Sequence, residues 1–423
     1  MTLRIGLMGT FGYGNLGDAA IQDAIIQNIR IRCPDAEIIG FSLNPADTEQ
    51  RHGIKSYAIS RMSWTQPTVG KHSLATRLAV RMRSSSRPLF RQLERWISRV
   101  PLEFRMLVEA FKTLHGVDML IISGGGQLDD YWGGGGPWSH PYTLLKYGLL
   151  ARIKGARYIF LSVGAGPLNA RLSQLFVRLA LSLASYRSFR DDSSRHLLAD
   201  LGFNHSDPVY PDLAHSLPAL HVQSSPEHTG ERLVGISPVG YFKAGCWPQT
   251  DTETYRLYSE RLTQFAVGVI QRGYKVVFLP GEVHFDQMAI ADIRNQLAQA
   301  GYPESSGCVL NPPIESVGDL LQQLQALQCV VASRFHILLL AQQLGKPVIA
   351  LSYQSKIDNL MADTGQARYC MPVGEFDPQD LLSLFIDMES QSEAIRIQVQ
   401  RNTQSYRNLL EEQYERVFSL VGI

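Results

Sequence analysis

One repeated order constrains this chain more than anything else: a short apolar run, a glycine- or serine-rich turn, then helical periodicity. LRIGLMG at residues 3–9 is apolar without alternation, as in a strand buried on both faces of a parallel sheet. DAAIQDAIIQNIRIR at residues 18–32 places Ile21, Ala24, Ile25 and Ile29 at helical spacing. A helix is expected there, with Asp18 as its N-cap. The order recurs through AEIIGFSLN, VDMLIISGGG and RYIFLSVGAGP. SYRSFRDDSSRHLLADLG passes from a short strand into a helix, and DPVYPDLAHSLP adds a last short strand. The polar stretch HVQSSPEHTGERL reads as a linker. The order then restarts with the strands LVGISPVG, YKVVFLPG, CVVAS and PVIALSY. Helices are expected at residues 252–272, 284–300, 317–327, 335–344 and 356–363. Strands that alternate with helices pair in parallel, so the expected class is α/β with two doubly wound, Rossmann-like sheets. Single cores stop growing beyond about 250–300 residues, so 423 residues imply two domains. The expected division is residues 1–220, residues 230–376, and helices over residues 377–423 that pack back on the first domain.

Between the first strand and the first helix, Gly12, Gly14 and Gly17 spell G-x-G-x-x-G. That fingerprint binds a dinucleotide when its third glycine lies in the helix and an acid ends the second strand. Here all three glycines are expected in the loop, and the second strand ends Phe41-Ser42-Leu43-Asn44. Nicotinamide and flavin are therefore not expected. What remains is either backbone geometry or an open loop and helix N-terminus facing an anionic ligand.

A net charge of +1 gives no global pull toward nucleic acid. No apolar run is long enough for a membrane span, and MTLRIG enters a strand with no signal peptide, so a cytoplasmic location is expected. Five scattered cysteines without C-x-x-C spacing argue for a reducing compartment and against a structural metal site. Residues 61–112 depart from the average. Their bases far outnumber Glu94, Glu103 and Glu109, and Trp64, Phe90, Trp96 and Phe104 interleave with them. The expectation is a helical insertion with a basic face. It is either a solvated surface or a peripheral contact with an anionic membrane surface or a phosphate-bearing, lipid-linked acceptor.

In open parallel sheets ligands bind beyond the carboxyl ends of the strands. The unusual residues gather there, at 9–18, 123–130, 164–167, Arg190-Asp191, Asp212, 280–284, 333–336 and 352–356. Two such sheets facing each other would define one cleft. Arg334 and His336 stand in the apolar run SRFHILLL, where a cation needs a partner. Either the arginine holds a neighbouring carboxylate and the histidine is a satisfied buried one, or they form an anion anchor and an acid/base group. Glu282 and His284 serve either ligand contact or helix capping.

GNLGDAAI, ISGGGQLDD, SFRDDSS, YPDLA, SRFHILLLAQQLGKPVIALSY and the lysine of YQSK, in that order, resemble the polysaccharide pyruvyl transferase family. The resemblance implies a GT-B-like pair of domains. It also implies transfer of a pyruvyl group from phosphoenolpyruvate to two hydroxyls of a glycan or lipid-linked sugar, as a ketal. Arg334, Arg190 and Lys356 are the expected anchors for the donor's phosphate and carboxylate. His336 is the expected general acid, and Asp18, Asp129 or Asp212 the base. Asp191 is expected to orient Arg190. Backbone amides at Gly14, Asn15 and Gly17, or at Gly124, Gly125 and Gly126, are expected to hold an anionic group, with His284 at the same ligand. No metal or organic cofactor is required. One departure stands out, since the family commonly has an acid after the aspartate of the first loop and this chain has Ala19. The competing readings are a GT-B glycosyltransferase that uses a nucleotide sugar and a non-catalytic binding protein of the same fold.

Overall fold

The computed structural model describes residues 2–60, 102–130, 136–217, 230–247 and 249–422. The basic run at 61–101 and much of the expected linker lie outside these residues. The chain begins β1 (Arg4–Met8), α1 (Leu16–Arg32), β2 (Glu37–Ser42), α2 (Pro45–His52) and β3 (Lys55–Ala58). Residues 102–113 are helical. Then come β4 (Met119–Ser123), β5 (Gly126–Leu128), α3 (His140–Lys154), β6 (Arg157–Ala165), α4 (Arg171–Leu183), β7 (Tyr186–Phe189) and α5 (Asp192–Asp200). After a 3-10 turn at Leu213–Ser216 follow β8 (Leu233–Ser237), α6 (Thr252–Gln271), β9 (Lys275–Phe278), α7 (Phe285–Gln299) and β10 (Val309–Leu310). The rest is α8 (Val317–Ala326), β11 (Cys329–Ala332), α9 (Phe335–Gln343), β12 (Val348–Ser352), α10 (Ser355–Asp363), β13 (Cys370–Pro372), α11 (Pro378–Ser390) and α12 (Ser392–Ser419).

The first sheet runs β3-β2-β1-β4-β6-β5, with β7 also against β6. The second runs β10-β9-β8-β11-β12-β13. Every pairing between these strands is parallel, which makes the class α/β with two parallel sheets. Central strands such as β4 and β12 are buried at every position, the pattern of a sheet covered on both faces. Phe41, Leu120, Tyr147, Tyr158 and Phe160 lead the core around the first sheet. Beside the second, Phe265 of α6 packs edge-on against Phe385 of α11 at 5.9 Å.

The chain forms two compact units, and their boundaries differ from those expected. One unit is Met1–Tyr13 with Asp35–Val209, and the other is Gly14–Pro34 with Tyr210–Ile423. Helix α1 therefore belongs to the second unit, although its flanking strands β1 and β2 belong to the first. Its side chains explain this. Asn28 Nδ2 donates to Ser216 O and Oγ at 3.2 and 3.1 Å. Arg32 pairs with Glu411 of α12 and lies 5.0 Å over the Tyr414 ring. Tyr414 in turn bonds Ser216 Oγ at 3.2 Å. The C-terminal helix thus packs on α1 and the 3-10 turn within the second unit. The last strand expected in DPVYPDLAHSLP is reduced to one bridge, Val209 with Phe189, because Asp212 Oδ1 accepts from Ala214 N and starts the 3-10 turn.

The first helix also begins earlier than its sequence suggests. Asn15, not Asp18, is the N-cap, accepting from the amides of Gly17 and Asp18 at 2.9 and 3.3 Å. Gly17 is consequently helical rather than part of the loop.

Candidate functional site

In the second unit, several short-range constraints bring the flagged residues together. Gly14 turns at φ +89°, a conformation open to glycine, and sends the chain past the loop after β9. There Leu16 N donates to Gly281 O at 2.9 Å, and Val283 N to Gly14 O at 3.1 Å. Asn15 and Glu282 form an antiparallel bridge. An added Cβ at Gly14 would stand 2.9 Å from Glu282 Oε1 and 3.2 Å from His284 Cδ2. On the next turn, a Cβ at Gly17 would stand 1.9 Å from His336 Nδ1. The N-terminal turn of α1 is therefore wedged between the β9–α7 loop and the start of α9.

His336, in the first turn of α9, is held from three sides. Its ring covers Gly17, meets Phe335 edge-on at 5.1 Å, and places Nε2 at 3.7 Å from Asp212 Oδ2. That separation suits charge–charge attraction and is too long for a hydrogen bond. Nε2 is buried and has no hydrogen-bond partner among the described residues. Asp212 is 3% exposed, so its carboxylate acts on the imidazole through a poorly screened medium. Next to it His215 is buried, and burial holds its pKa down to about 4 despite the Asp212 carboxylate. His215 is therefore neutral at pH 7; the His336 side chain is 16% exposed, although its Nε2 is buried.

Arg334, the residue before α9, does not stand alone. Its Nε donates to Asp286 Oδ2 at 2.9 Å, and its Nη2 to Oδ1 of the same carboxylate. Asp286 is fully buried, and its Oδ2 also accepts from the amides of Gly281 and Glu282, each at 2.9 Å. Burial opposes the arginine's charge, but Asp286 outweighs it and raises the guanidinium further above its ordinary value. The arginine stem presses on Gly281, where a Cβ would stand 2.7 Å from Arg334 Cγ. Asp286 is the residue that sequence reading missed. Forty-eight positions separate it from Arg334, and no local pattern announces the pair.

Glu282, 4% exposed, caps α7 by accepting from His284 N at 3.1 Å and from Phe285 N. Its other oxygen, Oε1, has no hydrogen-bond partner among the described residues. Burial pushes its carboxyl pKa up. His284 precedes α7 with an exposed side chain that makes no cap bond. Lys356 sits in the first turn of α10 with Nζ 5.7 Å from the Phe335 ring, one side chain away from His336. Asp18 is half-buried in the first turn of α1.

The remaining flagged residues gather separately in the first unit. Gly124 and Gly125 adopt φ of +42° and +66° after β4, and Gly126 opens β5. Gly164 N donates to Gly125 O at 2.7 Å. Arg190 lies over Gly164, where a Cβ would stand 2.8 Å from Nη2. Asp129, 7% exposed, packs on Gly166 in the same way, 3.0 Å from an added Cβ. Arg190 Nε reaches Asp191 Oδ2 at 3.3 Å. Asp191 also caps α5, accepting from Ser194 N at 2.7 Å. Burial opposes its charge, but Arg190 and the serine donors lower its pKa overall. Among the described residues there is no cluster of His, Cys, Asp and Glu able to hold a metal ion.

The sequence matches the model of one family, polysaccharide pyruvyl transferase, over residues 15–355. The chain belongs to the polysaccharide pyruvyl transferase family. The match begins at Asn15, which caps α1, and ends at Ser355, the first residue of α10. It therefore spans both sets of flagged residues except Gly14 and Lys356, which lie one position outside it. Among curated proteins none matches. Solved structures share the architecture. A Neisseria meningitidis UDP-GlcNAc 2-epimerase bound to UDP-GlcNAc aligns with a TM-score of 0.54 at 11% identity, over 99% of this chain and 100% of that one. Another UDP-N-acetylglucosamine 2-epimerase gives 0.57 at 12% identity, over 98% and 96%. The N-terminal domain of Candida albicans trehalose-6-phosphate phosphatase gives 0.55 at 11%, over 99% of each chain. At these identities the likeness is one of fold, and it places this pyruvyl transferase family member in the GT-B-like class.

Proposed function

We propose that this protein moves the pyruvyl group of phosphoenolpyruvate onto two hydroxyls of a glycan, forming a ketal and releasing phosphate. One observation carries the reading. His336 holds a buried Nε2 that no described residue occupies, beside the Asp212 carboxylate and over Gly17. Family membership supports pyruvyl transfer as the reaction to which that group is applied.

The roles follow from the chemistry. Protonation of the donor methylene by His336 turns CH2 into CH3 and leaves an oxocarbenium-like C2. One sugar hydroxyl adds there and gives up its proton. Phosphate then leaves with its bridging oxygen, and the second hydroxyl closes the ketal. One hydroxyl proton ends on the methyl group and the other departs with phosphate. The Asp212 carboxylate stands beside the ring and offsets the positive charge that leaves His336 with the proton it delivers. Asp18 and Asp129 are the other candidate bases. Arg334, locked by Asp286, offers a fixed cation to a carboxylate or phosphate, with Lys356 beside it and Arg190 in the first unit.

The test is His336→Gln, which keeps size and a hydrogen-bond donor but delivers no proton. Phosphate release from phosphoenolpyruvate should fall by about 10²–10⁴-fold while calorimetry shows donor affinity retained. Near-normal turnover in the folded variant removes His336 from the reaction. Titration with UDP-GlcNAc, the ligand of the Neisseria enzyme, tests the nucleotide-sugar reading, which requires tight binding of that ligand and none of phosphoenolpyruvate.

A further inference from the structure

At the carboxyl end of the second sheet, beside its β13 edge, an open groove of about 600 Å³ runs between that strand and α10. Its lining includes Tyr353, Gln354, Ser355, Asp358, Asn359 and Cys370. None of its described lining residues is Lys, Arg or His. A phosphate or pyrophosphate would find no cationic side chain in this lining. Asp358 already places a negative charge in the first turn of α10, which offsets the pull of that helix N-terminus on anions. The Cys370 thiol donates to Asp358 Oδ1 at 3.4 Å. Burial first, and then Asp358, push the thiol pKa up to about 12, so it stays a neutral donor rather than a nucleophile.

Carboxylate, amide and hydroxyl groups around one aromatic side chain match the demands of a neutral sugar. The ring hydroxyls need paired donors and acceptors, and the C–H face needs an apolar surface. Tyr353 supplies that surface and is itself backed by Trp247, edge-on at 5.1 Å. Trp247 in turn meets Tyr241 at 5.3 Å. The groove also adjoins the reaction centre. Tyr353 interacts electrostatically with Arg334, and Lys356 follows Ser355 directly and reaches toward Phe335, the neighbour of His336.

We propose that this groove is a saccharide subsite, holding an uncharged sugar ring of the acceptor glycan next to the ring that is pyruvylated. The assignment rests on the transferase reading for its link to the acceptor, but its binding chemistry is tested independently. Saturation-transfer NMR on the full chain would use methyl glucoside, methyl galactoside and N-acetylmannosamine, with inorganic phosphate and uridine monophosphate as controls. At least one sugar should receive saturation on its ring protons. Ala362→Trp, at an exposed groove position on α10, should abolish that signal by filling the space. Asp358→Ala should weaken binding about tenfold or more by removing a charged acceptor. Thermal melts confirm that both variants fold. No transfer to any of the three sugars overturns the proposal, as does transfer that survives both variants or phosphate that competes for the groove. If the wild type binds a sugar in the groove but never phosphoenolpyruvate, the transferase reading fails and the groove stands. If phosphoenolpyruvate turns over while the groove takes no sugar, the groove fails alone.

Discussion

Replacing Gly17 with alanine tests the geometry around His336 without touching a titratable group. The new Cβ would stand 1.9 Å from His336 Nδ1 and 2.3 Å from Cγ. Carbon contacts settle at roughly 3.5–4.0 Å, so the ring must swing away or α1 must shift. Overpacking of this kind costs about 1–3 kcal/mol. At an unobstructed helical position the same change stabilises by about 0.5–1 kcal/mol. Gly318, in the first turn of α8, provides that control, since a Cβ there meets only Ser316 Oγ at 3.6 Å. Urea unfolding should therefore show Gly318→Ala slightly stabilised and Gly17→Ala destabilised by about 1–2 kcal/mol after the helical gain is subtracted. His336→Ala removes the two nearest atoms and leaves only its Cβ, at 2.8 Å. Combined with Gly17→Ala it should recover about 1 kcal/mol or more of that loss, as coupled neighbours do. The single variant should also lose turnover, because the displaced ring no longer faces Asp212. If Gly17→Ala is as stable as Gly318→Ala, or its cost is unchanged by His336→Ala, the ring does not lie over Gly17 and the arrangement proposed for His336 fails.

Arg334→Lys should weaken phosphoenolpyruvate binding by calorimetry and lower stability together, because a single ammonium cannot replace the fork on Asp286; Asp286→Asn, which leaves a cation half-paired, should cost about 3 kcal/mol in urea unfolding. Unchanged affinity in folded Arg334→Lys excludes the arginine as a donor anchor. Burial lowers the pKa of both His140 and His215 to about 4. The unfolded chain takes up these protons from about pH 6.5 downward and the folded one does not, so each histidine should drain up to about 1.4 kcal/mol per pH unit between 6.5 and 4 and nothing further below that. Unfolding midpoints across that range should flatten in His215→Gln, and an unaltered slope refutes the assignment. The bases of residues 61–112 should bind anionic vesicles with a strength that falls as salt rises, at about 1 kcal/mol per base; equal sedimentation with neutral vesicles excludes this.

The parallel α/β class was legible because buried strands and helices have different periods, and those periods survive in LRIGLMG, VDMLIISGGG and PVIALSY. Weak elements were not. β3, β10 and β13 are edge strands of two to four residues, too short for any period to show. The start of α1 was misplaced because Asn15 and Asp18 both cap helices well, and the choice between them depends on where Gly14 turns. His336 and Arg334 were visible as polar residues in an apolar run. Their partners, Asp212 and Asp286, were not visible as partners, since each pairing is made across separate elements by packing. The unit boundaries were missed for the same reason, because nothing in residues 14–34 says which unit the helix will join.

That helix gives the chain an unusual order of assembly. Neither unit is one continuous stretch, and the backbone passes between them at residues 13–14, 34–35 and 209–210. A nascent chain that has just completed Val209 holds every strand of the first sheet. It also holds α1, whose partners Ser216, Glu411 and Tyr414 are still to be made. Asn28 and Arg32 can make those bonds only once the second half of the chain has been added. A cut at the apparent linker near residue 220 leaves residues 14–34 and 210–220 of the second unit on the first piece. A second half that folds by itself must instead begin at Tyr210 and have residues 14–34 added back, in trans or by permutation.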